Sequence, residues 1–342
     1  MTHTRLYRPS DDPELVRLAS EPMPGWARLR YDCAAGYAEA EALKGRSEII
    51  VVEDAEGRVA GCGTRTTTLR YLDGEPARIG YLSGLRSFPE RRGGLAFFRG
   101  LGKLGELERA NPNAFTFMTI LDDNPEGRAL LTSGRVGLPE CRSLGKVVTY
   151  ALSARRERGR VERADLDELR DFYGREAPRR QLFPVFGEGL PPGLSPEEFL
   201  CVRRGGRIVA AGAVWNHGAR RRIVVDGYGF RIPAARPLLN ALFALARFPR
   251  LPAPGREFEC SYLAYALAEN DDPALFGELV DAARRVCRGR NLVLSLHEGD
   301  RPLRRAVRTF GGWSYGSEFM AVAFGGRARE LRGVPYVEAG AL

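Results

Sequence analysis

The sequence predicts an α+β protein made of two similar halves, each a mixed, mostly antiparallel sheet flanked by helices. Strand-like apolar runs alternate with helical patterns along the chain. A hairpin pattern occurs twice, since GRVAG at 57–61 is echoed by GRIVA at 206–210. Residues 79–110 read as an apolar strand, a basic glycine-rich turn and a helical pattern. Two copies of one supersecondary plan are the economical interpretation.

Length and composition are those of a globular protein. The chain has 342 residues and 44% hydrophobic content, enough for the cores of two ordinary domains. Its longest apolar run, at 237–248, is too short and too interrupted to span a bilayer. The N-terminal residues carry no charged-then-apolar signal pattern. We therefore expect a cytoplasmic protein with no membrane partner.

The cysteines and histidines favour neither disulfides nor a metal. Even the two nearest of the six cysteines, Cys260 and Cys287, are far apart, so the chain has no CxxC clip and no compact disulfide framework. Three histidines occur, and none stands in an HExxH pattern. We expect reduced, mostly buried thiols, no metal and no Cys-His nucleophile.

The net charge of +9 does not by itself indicate a nucleic-acid interface. Almost all of the positive charge is arginine, spread through every segment and interleaved with 43 acidic residues. No RNA-recognition, zinc-finger or helix-turn-helix spacing accompanies it. We therefore expect no nucleic-acid partner.

The first half, residues 1–153, predicts the order β, helices, β, β, β, helix, β, helix, β. Its elements are a strand at 4–8, helical patterns at 13–44 broken at Pro22 and Pro24, strands at 47–53 and 58–71, the strand and helix of 79–110, a strand at Phe115–Leu121, a helix at 125–133 with Asn124 as N-cap, and a strand at 146–152.

The second half, residues 160–330, repeats this plan with an insertion at 221–250. Its predicted strands are 199–203, Arg207–Trp215, 257–267, Asn291–His297 and 318–324, and its helices are 274–288 and 301–309.

The turn PERRGG at 89–94 is the most informative feature. It follows an apolar strand and opens a helix, where main-chain N–H groups lack intrahelical partners and the helix dipole is positive. Glycines let a phosphate approach the main chain, and Arg91 and Arg92 add charge. The turn therefore predicts an anion site.

The spacing Arg91-x-x-Gly94-x-Ala96 resembles the signature of the GNAT superfamily of acyl-CoA-dependent N-acyltransferases. The family pattern is Gln or Arg, two residues, Gly, one residue, and Gly or Ala, after the fourth strand, as here. An alternative register from Arg92 places Leu95 where Gly is usual, so the assignment of residues to phosphate contacts is open by one position.

The resemblance implies an acetyl-CoA or other acyl-CoA co-substrate. Main-chain amides of the turn would bind the pyrophosphate, and the preceding strand would bind the pantetheine arm. The residues implied in cofactor binding are Leu85, Arg86, Ser87, Arg91, Arg92, Gly93, Gly94, Leu95, Ala96 and Asn124. A main-chain N–H near Leu85 or Arg86 would meet the oxyanion.

The sequence departs from the family at the general acid. Many members protonate the leaving thiolate with a Tyr about seven residues after an Asn like Asn124, and this chain has Leu131, Thr132 and Ser133 there. Three alternatives stay open: Ser133 relays a proton through water, the thiolate leaves unassisted, or this copy is inactive.

Two residues are candidates for the general base that accepts a proton from the amine. Tyr81 is the polar residue nearest to the family's carboxylate position, and its other interpretation is a hydrogen-bonding side chain of the cleft wall. Asp122, with Asp123, follows a strand and is equally interpreted as part of a helix cap with Asn124.

Trp26 and Tyr31 lie in a segment that covers the acceptor site in the family. They are either walls of the substrate pocket or residues of ordinary helix packing.

The second half lacks the anion turn, because the corresponding residues 268–273 read AENDDP. Carboxylates would repel a pyrophosphate, so we expect the first half to bind the cofactor and the degenerate second half to wall the substrate cleft. The resulting hypothesis is an N-acyltransferase that acylates an amine of a small molecule or peptide by direct attack. The alternatives are a silent CoA-binding protein and a tandem aminoacyl transferase that takes its donor from tRNA.

Overall fold

The structure is a computed structural model that describes residues 3–23, 25–91, 96–154, 161–187, 189–229, 232–287 and 289–342. The first half supplies strands β1 (His3–Leu6), β2 (Ala27–Asp32), β3 (Arg46–Glu53), β4 (Val59–Leu72), β5 (Glu75–Ser87), β6 (Phe115–Leu121) and β7 (Glu140–Leu152). Its helices are α1 (Asp12–Ala19), α2 (Tyr37–Ala42), α3 (Ala96–Ala110) and α4 (Pro125–Leu131).

The second half supplies the remaining strands and helices. The strands are β8 (Phe199–Arg204), β9 (Arg207–Trp215), β10 (Arg222–Tyr228), β11 (Cys260–Ala268), β12 (Asn291–His297) and β13 (Trp313–Ala323). The helices are α5 (Leu166–Glu176), α6 (Ile232–Ala246), α7 (Pro273–Val286) and α8 (Arg301–Arg308).

Eleven strands form one sheet in the order β1-β3-β4-β5-β6-β13-β7-β12-β11-β9-β8. Only β5 with β6 and β11 with β12 pair in parallel, so the predicted mixed, mostly antiparallel sheet is confirmed. The last strand of each half pairs with the other half: β13 lies between β6 and β7, and β7 pairs with β12. The two halves therefore share their central strands, and the division at 1–153 and 160–330 stays a prediction.

Helix α3 covers one face of the first half because its apolar residues recur at helical spacing. Leu101 and Leu104 are 1% and 0% exposed and pack with Leu82 of β5 and Met118 of β6. Burial of such a side chain contributes about 2 kcal/mol. This packing holds the helix start beside the end of β5, where the anion turn was predicted.

The prediction of helical patterns at 13–44, broken at Pro22 and Pro24, is wrong at 27–32. These residues form β2, which pairs antiparallel with β10, with Tyr31 opposite Ile223 and Leu29 opposite Val225. Ala27 and Leu29 alternate with polar residues and pack into a small core with β10. The hydrogen bonds that make this segment a strand come from a remote part of the chain.

The thiol prediction is confirmed: all six cysteines are free, and four of them are buried. The described residues include no group of three or more His, Cys, Asp and Glu side chains that could hold a metal ion. Within the same ranges, no helix has the length and apolar character needed to cross a bilayer.

Candidate acyl-CoA site

A gap between β5 and β6 forms the centre of the candidate site. The two strands pair in parallel from Ile79 opposite Phe115 to Leu82 opposite Met118. Both strands continue beyond this point, β5 to Ser87 and β6 to Leu121, and their pairing ends. The main-chain groups of β5 and β6 beyond these pairs are therefore candidates for contact with a ligand, because unpaired backbone donors and acceptors need partners.

A β-bulge in β5 lies beside this gap. Ser83 is opposite Thr64 and Arg86 is opposite Cys62, so β5 contains one residue more than β4 between these pairs. Gly84 has φ +62°, and a Cβ there would lie 2.8 Å from Tyr37 Oη. A bulge redirects the main chain, and here it does so where the sequence predicts the oxyanion N–H, at Leu85 or Arg86.

The predicted phosphate turn connects this strand to the start of a long helix. Strand β5 ends at Ser87, a 3₁₀ turn covers Pro89–Arg91, and α3 begins at Ala96 with 15 residues. Residues Arg92, Gly93, Gly94 and Leu95 lie outside the described residues, and Arg91 and Ala96 are described in their main chain only.

The side chain of Arg86 is hydrogen-bonded to the main chain at the C-terminal end of α1. Its Nη1 donates to the carbonyl oxygens of Ala19 at 3.2 Å and Glu21 at 3.1 Å. A cation is stabilised there because the end of a helix carries partial negative charge. We therefore expect Arg86 to contact an acyl-CoA through its main chain and not through its side chain.

A buried ion pair at the C-terminal end of α2 lies on the other side of the bulge. Lys44 Nζ is 2.7 and 2.9 Å from the two carboxylate oxygens of Glu41 and donates to Ser83 Oγ at 2.9 Å. Glu41 is 5% exposed and Lys44 is 7% exposed. A Cβ placed on Gly84 would lie 4.0 Å from Glu41 Oε2. Sequence reasoning missed this pair, because an i,i+3 Glu and Lys normally lie on a solvated helix face.

Aromatic and cationic groups of both halves meet at Tyr31. Its ring lies between two guanidinium groups, with Arg86 at 5.5 Å and Arg221 at 5.3 Å from the ring centroid. Arg221 is buried and donates to the carbonyl oxygens of Gly340 at 2.7 Å and Leu342 at 2.6 Å. Tyr31 therefore stands where the two halves join.

Tyr315 of β13 lies opposite Thr149 of β7 and keeps 51% of its surface exposed. Its side chain is therefore accessible from solvent.

Trp26, the second predicted acceptor residue, lies in a different cluster. Its ring stacks on Tyr228 at 6.3 Å and meets Trp313 at 5.8 Å. It is 50% exposed. Trp26 directly precedes β2 and Tyr31 lies within it, but they contact different groups.

Tyr81 is placed in the core of the sheet. It stacks on Phe117 at 4.8 Å, and its hydroxyl shares a hydrogen bond of 3.2 Å with Thr119 Oγ1. Burial raises the pKa of Tyr81 above its ordinary value. Deprotonation of this hydroxyl is disfavoured, which argues against its use as a base.

Asp122 is tied to the central strands. Its Oδ2 accepts from Lys146 Nζ at 3.0 Å, and its main-chain N–H donates to Gly316 O at 3.1 Å. The buried Oδ1 has no hydrogen-bond partner among the described residues. The carboxylate thus lies at the junction of β6, β7 and β13, and its role as a base stays a prediction.

Asn124 and Ser133 mark the two ends of the α4 region. Asn124 Oδ1 accepts from Gly127 N at 3.0 Å, so the predicted N-cap is confirmed. Ser133 Oγ donates to Leu130 O at 2.6 Å. The hydroxyl proton of Ser133 is therefore engaged at the end of the helix, and a relay role for Ser133 would require this bond to break.

The second half repeats the gap and the bulge. Strands β11 and β12 pair in parallel over only three residues each, and β11 then continues to Ala268. An extra residue lies between Ala264 and Leu267, and Tyr265 has φ +53° there. Tyr265 is thus the counterpart of Gly84.

In this half the protein itself fills the site. Glu338 accepts from Tyr265 N at 3.0 Å, and Tyr336 Oη accepts from Ala266 N at 3.2 Å and donates to Glu338 at 2.7 Å. Asp272 occupies the start of α7, where its Oδ1 accepts from the main-chain N–H groups of Ala274 and Leu275 at 2.7 and 3.0 Å. The bulge and the helix start of the second half, which correspond to the candidate cofactor contacts of the first half, are therefore both hydrogen-bonded to carboxylates of the chain. The degenerate sequence of this half led us to expect such a difference.

No protein-family model matches the sequence. No curated protein matches it either. Solved structures do match its fold. N-myristoyltransferase of Saccharomyces cerevisiae with bound myristoyl-CoA is 10% identical with a TM-score of 0.59, over 94% of this chain and 82% of that one. A GCN5-related N-acetyltransferase of Anabaena variabilis is 8% identical with a TM-score of 0.52, over 95% and 73% of the two chains.

A third match is a GCN5-related glucosamine N-acetyltransferase region of a fungal multi-domain GH3 β-N-acetylglucosaminidase. It is 13% identical with a TM-score of 0.62, and the match covers 94% of this chain and 38% of that chain. At such identities the likeness concerns the fold. The protein therefore has the fold of the GNAT N-acyltransferases, as the turn at 91–96 led us to expect.

Proposed function

We propose that the protein is an N-acyltransferase that moves the acyl group of an acyl-CoA, acetyl-CoA or a longer one, to an amine of a small molecule or peptide. The observation that carries this proposal is the gap between β5 and β6 beside the bulge at Gly84, followed directly by the turn that opens α3. This arrangement offers a redirected main chain for the thioester, an unpaired stretch of strand for the pantetheine arm and a helix start for the pyrophosphate, which is the order of these groups in acyl-CoA.

In this proposal the first half holds the donor through main-chain groups. Amides of the turn at 91–96 receive the pyrophosphate, with Arg91 and Arg92 adding charge. Leu85 or Arg86 donates its N–H to the thioester oxygen as it becomes an oxyanion, a contribution that can reach a factor of about 10² to 10³ in rate.

The reaction must also move one proton. The amine attacks the thioester carbonyl, the C–N bond forms and the C–S bond breaks, so the amine nitrogen loses a proton and the thiolate gains one. Glu41 is the proposed proton acceptor, because it lies beside the bulge and Lys44 holds its carboxylate in place. The thiolate leaves without a tyrosine acid and takes its proton from water, since Ser133 is hydrogen-bonded to Leu130.

The named activities of the structural neighbours support this class of reaction. One is an N-myristoyltransferase and another is a glucosamine N-acetyltransferase region. They differ in acyl group, so acyl-chain length in this protein is a question for experiment.

Calorimetry with acetyl-CoA, myristoyl-CoA and CoA tests the site. We expect Gly94→Glu to abolish binding, because it adds a carboxylate to the pyrophosphate turn. Gly277→Glu is the matched control: it adds the same charge to α7 of the second half, where a Cβ meets no atom within 4 Å. Unchanged affinity in Gly94→Glu would reject the site.

A second candidate function is a catalytically silent CoA-binding protein, which the absent tyrosine and the engaged Ser133 hydroxyl favour. A panel of amine acceptors with thiol detection separates the two functions. Turnover of any acceptor well above background hydrolysis excludes the silent protein, whereas binding without turnover across the panel favours it.

A further inference from the structure

Helix α6 has apolar side chains on two faces, and one face has no partner among the described residues. Leu239 and Phe243 pack toward β10 in a small core. Leu238, Leu242 and Leu245 are 68%, 54% and 84% exposed. Positions i, i+4 and i+7 form one stripe along a helix. The exposed stripe is therefore continuous, and it lies on a helix whose other apolar face packs against β10.

We call Leu238, Leu242 and Leu245 the α6 stripe. Seven large hydrophobic side chains are exposed in the described part of the chain, and three of them are in this stripe. Single exposed apolar residues are normal, but a contiguous apolar surface marks an interaction site.

Trp26 lies toward the anchored face of α6 and is not part of the stripe. Its half-exposed ring contacts Trp313 at 5.8 Å, and Trp313 meets Phe243 of α6 edge-to-face at 4.6 Å. Phe243 belongs to the face that packs toward β10.

Positive charge lies close to the stripe in the sequence. Residues 227–256 include no Asp or Glu and five arginines, at 231, 236, 247, 250 and 256. Arg247 and Arg250, just beyond the end of α6, are exposed. Both also line a groove of about 2170 Å³ that begins at Leu245 and continues to Arg284 and Arg308. The groove is lined by arginines and by the carboxylates Glu198, Glu257, Glu259 and Asp281. Arg247 and Arg250 are therefore the exposed cations that follow the stripe directly in the chain.

We propose that the α6 stripe, with the arginines at 247 and 250, docks on an anionic lipid bilayer with the helix axis in the plane of the surface. An apolar helix face edged by arginines binds at the boundary of head groups and acyl chains. Anionic lipids would neutralise these arginines, at about 1 kcal/mol for each charge near the surface.

The length of α6 and the arginines beside it favour a bilayer surface over a membrane-spanning position or a second copy of the chain. At 15 residues α6 is about 22 Å long, shorter than the roughly 30 Å hydrocarbon core, so it lies on a bilayer and does not cross it. A second copy docked on the same face would place arginine near arginine, which opposes association. This peripheral contact departs from the expectation of no membrane partner, and it does not depend on the proposed acyl transfer.

Vesicle sedimentation tests the proposal on the full chain. We expect binding to phosphatidylcholine vesicles that contain 30% phosphatidylglycerol, little binding to pure phosphatidylcholine, and release as salt rises to about 0.5 M, since the charge term is screened. Leu242→Ser with Leu245→Ser should lower the partition coefficient about tenfold or more. Arg247→Ala with Arg250→Ala should lower it for the anionic vesicles only.

Val136→Ser is the matched control, because Val136 is a fully exposed apolar residue outside α6. It should bind like the unaltered protein, and circular dichroism should show that every variant is folded. Absence of binding to the anionic vesicles, or equal binding by the double serine variant, would overturn the proposal. A dimer in light scattering that the serine variant abolishes, without vesicle binding, would assign the stripe to a second copy and overturn it too.

Discussion

The carboxylate of Glu338 accepts a hydrogen bond of 3.0 Å from the main-chain N–H of Tyr265. Tyr265 lies in the bulge of β11 at the position that Gly84 has in β5. The bulge of β11 is thus occupied by a carboxylate of the chain. We expect this contact, together with the acidic residues at 268–273, to keep a cofactor out of the second half.

We expect one acyl-CoA per chain. The second slot is filled by Glu338 and Tyr336, and the start of α7 is capped by Asp272. Isothermal titration should give a stoichiometry of one, and Gly94→Glu should remove all of the heat. Two sites per chain would contradict the assignment of a closed second half.

Glu338→Ala should destabilise the fold by about 1–3 kcal/mol for the buried donors that it leaves unpaired. Those donors are Tyr265 N–H and the Tyr336 hydroxyl. Urea unfolding measures the loss. Glu56→Ala is the control: Glu56 pairs with Arg58 at the exposed surface, and such pairs contribute about 0–1 kcal/mol. Equal stability of both variants would show that the Glu338 contact is not structural.

Gly84→Ala should impair catalysis as well as stability. A left-handed φ of +62° and a contact of 2.8 Å to Tyr37 Oη force the bulge to shift, at a cost of about 1–2 kcal/mol. We expect kcat to fall more than acyl-CoA affinity, because the bulge positions the oxyanion N–H. Gly102→Ala in α3 has open space and should be neutral or stabilising by about 0.5–1 kcal/mol. An unaltered kcat in Gly84→Ala would separate the bulge from catalysis.

Glu41 is tested in a variant that avoids an unpaired buried charge. Glu41→Gln alone leaves the buried ammonium of Lys44 without a carboxylate partner, which lowers the free energy of unfolding by about 3–5 kcal/mol. The double variant Glu41→Gln with Lys44→Met keeps the volume and removes both charges. We expect it to fold, to bind acyl-CoA with unchanged affinity and to lose about 10²-fold in kcat. Full turnover by the double variant would exclude Glu41 as the proton acceptor.

Asn124 and Asp272 give a matched pair of helix caps. Each side chain accepts from N–H groups of the following helix, so either alanine substitution should cost about 1 kcal/mol. Only Asn124→Ala should also weaken acyl-CoA binding, because α4 belongs to the half that holds the donor. Thermal unfolding and calorimetry on the same samples separate the two effects. Equal acyl-CoA affinity in both variants would leave Asn124 with its capping role alone.

Much of the fold could be predicted because its signals are local. The strands Phe115–Leu121, Arg207–Trp215 and Asn291–His297 have the predicted bounds, and the cap at Asn124 stands where the sequence placed it. Strand periodicity, glycine in tight turns and capping side chains act over a few residues. The motif at 91–96 is local for the same reason, since a helix start binds anions through its own main chain.

The remaining features depend on partners that are distant in sequence. Residues 27–32 are a strand because β10 pairs with them. Glu41 and Lys44 are buried because they pack against β5, where Lys44 donates a hydrogen bond to Ser83. Tyr31 contacts both Arg86 and Arg221 only when the two halves of the chain are folded together.

By itself, then, the sequence determined the class of fold, most of its strands and helices and the turn that points to acyl-CoA. The tertiary structure decided which slot is open, because Glu338 reaches Tyr265 from another part of the chain. It also decided which side chains face the bulge and which apolar stripe of α6 is left uncovered. The physical reason is range: propensity and capping act between neighbours, whereas strand exchange, charge burial and solvent exposure depend on contacts made only in the folded chain.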